Sequence, residues 1–388
     1  MGMFLLCTFL MIILYPLGID LYLVAVPRIA QTLQGSEAQI HTAFSIYLLG
    51  MAATVLPGGM LADRHGRRPV VLGGALIFVV ASLVAAEATG IAQFYLGRFW
   101  QGVGAGALYI MTFTVLRDVL NQARLAMALS LINGVICVIP VLAPVLGYLI
   151  LSHFEWRGIF VGMALVAAIS ALVNLRLLKE TRPARPSAEA SPLALLGMAP
   201  FMQRALLTSA SVTAILVYVS VSPLVLMTMF GLPPEQYTRL MMAMAGVSMS
   251  ASFLTPLLLR WLGKARVLAL SHLAYLLALL ALLCSSGPEG GLSWLLAGCA
   301  LVCIGFSCGF GVAMGEALDV CGDQVASASA LLCIMQIGLS GLFIWGMGHL
   351  GMPALWMLIL ALLLALLGYL VVKVLLPWRA VRRVRARG

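Results

Sequence analysis

Twelve long apolar stretches constrain this chain more than any other feature of its sequence. An α-helix of about 20 apolar residues crosses a hydrocarbon core roughly 30 Å thick. The chain is 63% hydrophobic and only 9% charged, whereas about a quarter of the residues of a soluble domain are charged. The sequence therefore predicts an all-α polytopic membrane protein and excludes an ordinary soluble domain.

The distribution of basic residues predicts how the spans are oriented. The loops after odd-numbered spans hold three Lys or Arg residues, and most of the others lie in the remaining loops and the C-terminal tail. By the positive-inside rule, both termini are expected in the cytoplasm. This arrangement explains the net charge of +10 without nucleic acid, so membrane lipid is the expected partner. The spans are predicted at 4–26, 42–61, 70–86, 93–116, 127–151, 159–178, 203–229, 240–259, 267–284, 292–315, 325–346 and 352–376.

A polar, proline-containing segment separates six spans from six. The predicted divisions are an N-terminal bundle at 1–178, a cytoplasmic linker at 179–202 and a C-terminal bundle with a basic tail at 203–388. The run from Asp63 to Arg67 has an echo in the run from Arg260 to Lys264, 197 residues later. Parallel repeats of this kind are typical of transporters. In the echo, Arg260 replaces the acid.

Two charged residues lie inside apolar spans, Asp20 in the first and Arg98 in the fourth. A charge in hydrocarbon is costly, and such residues commonly mark substrate or proton pathways. At 1.5 Å per residue, both are expected ~8–9 Å below the outer boundary. We expect a pair or a shared water cluster that responds to protonation. The alternative is a static ion pair that orients the two helices.

A charged turn between the second and third spans predicts a cytoplasmic latch. Its residues are Gly59, Asp63, Arg64, Gly66 and Arg67, and Asp118 lies at the same membrane face. Gly66 allows a tight turn with positive φ, and Asp118 is positioned to bind Arg67. The acidic loop from Glu316 to Asp323 is a candidate partner across the bundle interface; alternatively, Asp323 caps the eleventh helix and the other acids are solvated. The alternative is that the arginines only keep the loop inside the cell.

The fifth span combines Pro140, Ala143, Pro144 and Gly147. Proline interrupts the helical hydrogen-bond ladder, and small residues permit close helix approach. Polar side chains inside other apolar spans are candidates for a substrate cavity: Tyr15, Tyr47, Gln101, Asn133, Tyr218 and Gln336. If Arg98 offsets Asp20, this cavity favours neutral amphiphiles. Satisfied helix packing is the alternative for each of these residues.

Several runs resemble the drug:proton antiporters of the major facilitator superfamily, in the branch of the bicyclomycin and chloramphenicol exporters. They are Gly59–Arg68, Arg98–Gly104, Asn133–Gly147, Trp156–Phe160 and Glu180–Thr181. The resemblance implies the major facilitator fold, with twelve helices in two six-helix bundles. It also implies proton-coupled efflux of small drugs, chloramphenicol-like in kind, across the bacterial inner membrane by alternating access. In that family the fifth helix seals the outer exit. A monomer is expected.

Other functions are less well supported. The sequence has no cluster of nucleophile, acid and base near an interface, so an enzyme is not expected. It has no nucleotide-binding glycine loop, and the cysteines lack metal-ligand spacing, so no cofactor or metal is expected. The nearest rival is the same fold moving a sugar, nucleoside or metabolite as exporter or symporter. A receptor that transports nothing is a third alternative.

Overall fold

The computed structural model describes residues 2–182, 192–285, 291–321 and 324–375. In these ranges the regular structure is helical, with no strand. Eleven helices are long and apolar enough to cross a membrane. The longest, Pro234–Ser285, has 52 residues and is interrupted by Gly263 at φ 79°, so it comprises two spans. The predicted all-α fold is confirmed, and the spans together number the predicted twelve.

The helices are numbered here in chain order. They are α1 (Gly2–Ile12), α2 (Leu14–Asp20), α3 (Val26–Thr32), α4 (Glu37–His65), α5 (Arg67–Ala86), α6 (Ile91–Val119), α7 (Gln122–His153), α8 (Trp156–Leu177), α9 (Ala199–Pro223), α10 (Pro234–Ser285), α11 (Leu292–Asp319), α12 (Val325–His349) and α13 (Ala354–Tyr369). Short 3₁₀ segments occupy Leu23–Ala25 and Pro192–Gly197, and π-helical turns occupy Leu224–Met229 and Leu370–Leu375.

The first span is broken, in contrast to the continuous helix expected at 4–26. It consists of α1, α2, a 3₁₀ turn and α3, and it continues to Thr32. Two prolines explain the interruptions, because a proline removes one helical hydrogen bond and its ring clashes with the carbonyl four residues earlier. For Pro16 that residue is Ile12, where α1 ends, and for Pro27 it is Leu23, where the 3₁₀ turn begins.

Helix α6 packs closely against α4 and α5 through glycines. A Cβ on Gly102 would collide with the carbonyl oxygen of Tyr47 in α4, and one on Gly104 would lie 2.7 Å from the carbonyl oxygen of Gly74 in α5. Small residues permit this backbone approach, which supports helix association in lipid. Arg98 and Gln101 are thereby carried into the interior, where both are fully buried.

Residue contacts divide the chain into two units. Unit 1 comprises Met1–Ala188, Ser222–Ala245 and Gly341–Gly351, and unit 2 comprises Glu189–Val221, Gly246–Ser340 and Met352–Gly388. Unit 1 contains α1 to α8 and carries the motif-rich segments of the sequence. The boundaries proposed at 178 and 203 remain a prediction.

Candidate functional site

Arg98 is the central charged residue of unit 1. Its side chain is 0% exposed, and its Nη2 donates a hydrogen bond to the carbonyl oxygen of Gly18 in α2 at 2.9 Å. Nη1 donates to Oε1 of Gln101, one helical turn along α6. The guanidinium carbon lies 4.4 Å from the ring centroid of Tyr22 and 4.5 Å from that of Tyr47. Aromatic faces stabilise a desolvated cation in this geometry.

Arg98 retains unused hydrogen-bonding capacity. Its Nε has no partner among the residues that the structure describes. None of the six ion pairs among those residues includes Arg98. A guanidinium has five N–H donors in a planar fork, and a buried charge without a counterion is costly. This residue therefore occupies a site that an anion or an additional acceptor would stabilise.

Asp20 ends α2, next to the interruption of the first span. It is 6% exposed, and within the described ranges no hydrogen bond or ion pair to its carboxyl group is formed. Of the two arrangements predicted for this site, a direct Asp20–Arg98 ion pair is not formed among the described residues, and a shared water cluster remains a prediction. Arg98 instead bonds the backbone at Gly18, two residues before Asp20.

The equal depth of Asp20 and Arg98 in the membrane remains a prediction, but the helix ends used to derive it differ in the structure. Asp20 lies twelve residues before the end of α3 at Thr32, whereas the predicted end at residue 26 lay six residues away. Twelve residues correspond to roughly 18 Å along a helix. Arg98 lies seven residues from the start of α6 at Ile91. Arg98 reaches α2 through its long side chain, which binds the carbonyl oxygen of Gly18, two residues before Asp20.

The structure brings three of the cavity candidates, Tyr15, Tyr47 and Gln101, into the surroundings of Arg98. The hydroxyl group of Tyr47 donates to the carbonyl oxygen of Tyr15 at 3.0 Å. Gln101 Nε2 donates to Ser82 Oγ at 2.8 Å. Gln101 therefore connects Arg98 to α5 and is itself fully buried. This position is compatible both with helix packing and with a role in the site.

The three remaining cavity candidates are not part of the described side chains of unit 1. Tyr218 and Gln336 belong to unit 2 and are 3% and 7% exposed. The side-chain amide of Gln336 lies 3.8 Å from Met314 Sδ. The side chain of Asn133 lies outside the described part of the structure. Assignment of these residues to a substrate cavity remains a prediction.

At the other end of α6, Arg67 forms the ion pair that the sequence suggested. Its Nε donates to Asp118 Oδ2 at 2.8 Å, and its Nη1 donates to Asp63 Oδ1 at 2.8 Å. Nη1 also donates to the carbonyl oxygen of Ala62 at 2.9 Å. The side chains of Arg67 and Asp118 are 8% and 13% exposed. The pair is shielded from water, where an exposed ion pair would contribute little.

Gly66 makes this arrangement possible. It ends α4 with φ 100°, in the region that favours glycine. A Cβ at this position would collide with the carboxylate of Glu180. Gly59 lies in α4. A Cβ added at this position would meet no heavy atom within 4 Å among the described residues outside its own helix, so close packing does not require glycine there. Arg64 contributes its carbonyl oxygen, which accepts from Arg182 Nη1 at 2.8 Å.

Glu180 is the residue that sequence reasoning missed. It was noted only within the Glu180–Thr181 resemblance, with no role assigned. Its carboxylate accepts hydrogen bonds from the backbone N–H groups of Arg67 and Arg68 at 2.8 and 3.2 Å. Its partners lie more than 110 residues earlier in the chain, so no local spacing could have revealed the contact. An acid directly after the sixth span was the available signal.

The acidic segment has partners other than those expected. Glu316 binds Lys373, and Asp319 binds Lys264 with 3.1 Å between Oδ2 and Nζ. Both contacts lie within unit 2, so docking of this segment on the arginines of the 62–69 loop remains a prediction. Both acids are neutralised by lysines of their own unit. Asp323 lies outside the described residues.

Helix α7 continues through both of its prolines, from Gln122 to His153. Ala143 is fully buried. A Cβ on Gly147 would collide with the carbonyl oxygen of Leu21, at the interruption of the first span. The predicted small surface therefore does support close approach, and it faces the chain immediately after Asp20.

The described residues contain no group of three or more His, Cys, Asp or Glu side chains arranged to hold a metal. The two charged groups buried within the first and fourth spans are the carboxyl group of Asp20 and the guanidinium of Arg98.

Comparison with known proteins agrees with this architecture. The sequence pattern of the Major Facilitator Superfamily matches residues 8–338. Multidrug resistance protein MdtL of Escherichia coli O81 (strain ED1a) is 44% identical over 369 residues, covering 94% of this chain and 93% of that protein. MdtL of Klebsiella pneumoniae (strain 342) is 45% identical over 364 residues, covering 92% of each chain.

Two solved structures show the same fold at low sequence identity. A D-xylose–proton symporter matches with a TM-score of 0.75 and 14% identity, over 96% of this chain and 97% of that chain. A bacterial homolog of the human lysosomal transporter Spinster, inward-facing and occupied, matches with a TM-score of 0.71 and 16% identity, over 95% and 96%. The chain therefore belongs to the Major Facilitator Superfamily, as a multi-pass membrane transporter of its multidrug efflux family.

Proposed function

We propose that this chain exports small amphiphilic drugs, chloramphenicol-like in kind, in exchange for protons that flow into the cell. It acts as a monomer by alternating access in the bacterial inner membrane, with both termini in the cytoplasm. The efflux relatives and the shared fold support transport of drugs. One observation carries the coupling to protons: in the described part of the chain, the buried carboxyl group of Asp20 has no ion pair, and the buried guanidinium of Arg98 has no counterion and binds the backbone two residues before Asp20.

Asp20 carries the proton in this proposal. The neutral acid needs no counterion, in agreement with the absence of an ion pair to Asp20 among the described residues. Loss of the proton creates an anion in apolar surroundings, where a charge must be paired. Arg98 is the nearby cation, so it would transfer hydrogen bonds from the Gly18 carbonyl oxygen to the carboxylate. The proton thereby changes the contacts between α2 and α6.

Drug binding and proton loss are coupled through the tyrosines. Tyr22 and Tyr47 both lie against the guanidinium of Arg98, and they supply the apolar and polar surface that an uncharged amphiphile requires. Arg98 can leave the aromatic rings only when Asp20 is charged. A drug that occupies the aromatic surface therefore favours the deprotonated state, and protonation favours release.

The Arg67 network stabilises the closed cytoplasmic side in the same cycle. Arg67 and Asp118 are nearly buried, so opening this side requires water to reach both charges before they separate. Asp63 and Gly66 are required for this geometry, and neither is needed to keep the loop in the cytoplasm. These requirements favour a latch over a purely topological role.

The experiment that tests the coupling is proton release from detergent-purified protein at alkaline pH on addition of chloramphenicol. We expect release from the wild type and none from Asp20→Asn. The matched control is Glu87→Gln, which removes an exposed carboxyl group and should leave release intact. Equal release from Asp20→Asn would move the proton site elsewhere. No release from the wild type would contradict chloramphenicol–proton exchange.

A further inference from the structure

Glu180 connects the linker between the predicted bundles to the turn that carries Arg67. It follows α8 and lies at the start of the polar segment. Its carboxylate accepts four backbone N–H groups, from Arg67 at 2.8 Å, Arg68 at 3.2 Å, Thr181 at 3.0 Å and Arg182 at 2.9 Å. Two of these donors begin α5 and two belong to the linker, so one side chain joins both segments.

The contact uses the physical chemistry of a helix N-terminus. The first N–H groups of α5 have no partner within the helix, and the helix dipole favours a negative charge at this end. Residues that begin helices usually provide the cap themselves, but Gly66 has no side chain. Partial burial raises the pKa of the Glu180 carboxyl, and the four N–H donors lower it by more, so the pKa lies below its ordinary value.

The neighbouring residues continue the contact. Thr181 Oγ1 lies 3.4 Å from Asp118 Oδ2, and Arg182 Nη1 donates to the carbonyl oxygen of Arg64 at 2.8 Å. Residues 180–182 thus contact the turn on both sides of Gly66 and also the acid that binds Arg67. This cover accounts for part of the low exposure of the Arg67–Asp118 pair.

We propose that Glu180 is a positioning residue of the latch, holding residues 180–182 against the Arg67–Asp118 pair so that the pair separates only after this segment withdraws. This inference rests on the alternating-access transport proposed above. The linker is the covalent connection to α9, so movement of the C-terminal helices acts on Glu180 through the chain. Opening of the latch therefore requires the Glu180 contacts to break as well as the charges to separate.

A distance measurement tests, independently of transport, whether Glu180 holds residues 180–182 against the Arg67 turn. Spin labels are placed at His65→Cys and Lys179→Cys, both exposed positions, in full-length protein whose native cysteines have been replaced. We expect a narrow distance distribution with Glu180 present and a longer, broader one in Glu180→Gln. Glu180→Asp keeps the charge and should restore most of the narrow distribution. The matched control is Glu155→Gln, at the opposite end of α8.

Efflux of chloramphenicol from proteoliposomes provides the second readout. Because Glu180 contacts no residue of the Arg98 site, Glu180→Gln should lower the maximal rate about three- to tenfold and leave KM nearly unchanged. A purely structural role would lower thermal stability and the amount of active protein without this division between rate and KM. Glu155→Gln should retain the wild-type rate.

Two results would overturn the proposal. An unchanged distance distribution in Glu180→Gln would show that the segment is held by other contacts. A broadened distribution with wild-type efflux would show that the Glu180 contacts have no part in the transport cycle. If the wild type moves no chloramphenicol, the proposed function fails separately, and the distance distribution still decides whether Glu180 holds the linker.

Discussion

Two turns of this chain share a backbone design and differ in their surroundings. Gly66 has φ 100° and Gly263 has φ 79°. Each is followed by a base that binds an aspartate at the end of a later helix: Arg67 binds Asp118 at 2.8 Å, and Lys264 binds Asp319 at 3.1 Å. The repeat that was faint in the sequence is thus preserved in the backbone and in one ion pair.

The difference lies in burial and in the number of partners. The Arg67 pair is 8% and 13% exposed, whereas the Lys264 pair is 65% and 64% exposed. Arg67 also binds Asp63, but the corresponding residue four positions before Lys264 is Arg260. An exposed pair contributes little to stability, whereas breaking a buried pair leaves an uncompensated charge. The same turn can therefore form a latch or merely a surface contact.

Replacement of the two bases should produce the largest contrast. Arg67→Ala leaves Asp118 nearly buried without its cation and should destabilise the protein by about 3 kcal/mol. Lys264→Ala should cost less than about 0.5 kcal/mol. Thermal unfolding in detergent measures both, and drug efflux should fall only in Arg67→Ala. An Arg67→Ala protein that inserts normally and transports at the full rate would eliminate the latch.

Replacement of the two glycines should produce a smaller contrast. Gly66→Ala meets both an unfavourable φ and the Glu180 carboxylate, and should cost about 2–3 kcal/mol. Gly263→Ala meets no heavy atom of the described residues within 4 Å, so only the backbone strain of about 1–2 kcal/mol remains. Midpoints of thermal unfolding compare the two variants. Equal shifts would show that the Glu180 contact does not restrict position 66.

The smallest expected effect is a pH dependence of protein stability that is confined to the Gly66 turn. The pKa of Glu180 is lowered in the folded protein, so its ionised form adds stability above the unfolded pKa. That contribution is lost as pH falls through the lower, folded value. The stability difference between wild type and Glu180→Gln should therefore be present at pH 7 and shrink below the ordinary glutamate pKa of about 4.3. A difference that is constant down to pH 3 would contradict the charged cap.

Hydropathy was sufficient to predict most of the fold. The length of an apolar segment and the Lys and Arg residues beside it are properties of one helix and its flanking loops. They can therefore be interpreted without tertiary information. The Arg67–Asp118 pair was also predictable, because both residues lie at the same membrane face and carry opposite charges. The interruptions of the first span were not predicted, although Pro16 and Pro27 were visible in the sequence.

Contacts between distant segments could not be obtained in this way. The choice of the Gly18 carbonyl as the acceptor for Arg98 depends on the path of α2 past α6, which the sequence does not specify. The partners of Glu180 lie more than a hundred residues away. The sequence gives no reason to pair Glu316 with Lys373, which lies inside the predicted last span. In each case the residue type indicated that a polar partner was needed, but the sequence did not indicate which residue it would be.

The contact between Gly147 and Leu21 gives α7 a direct influence on the proton site. A hydrogen atom is the only side chain that fits between α7 and the Leu21 carbonyl oxygen, and Leu21 follows Asp20 directly. Sliding or tilting of α7 therefore displaces the peptide group attached to the proposed proton carrier. In the proton exchange proposed above, the packing of α7 against Leu21 would therefore set the position of the peptide group that follows Asp20.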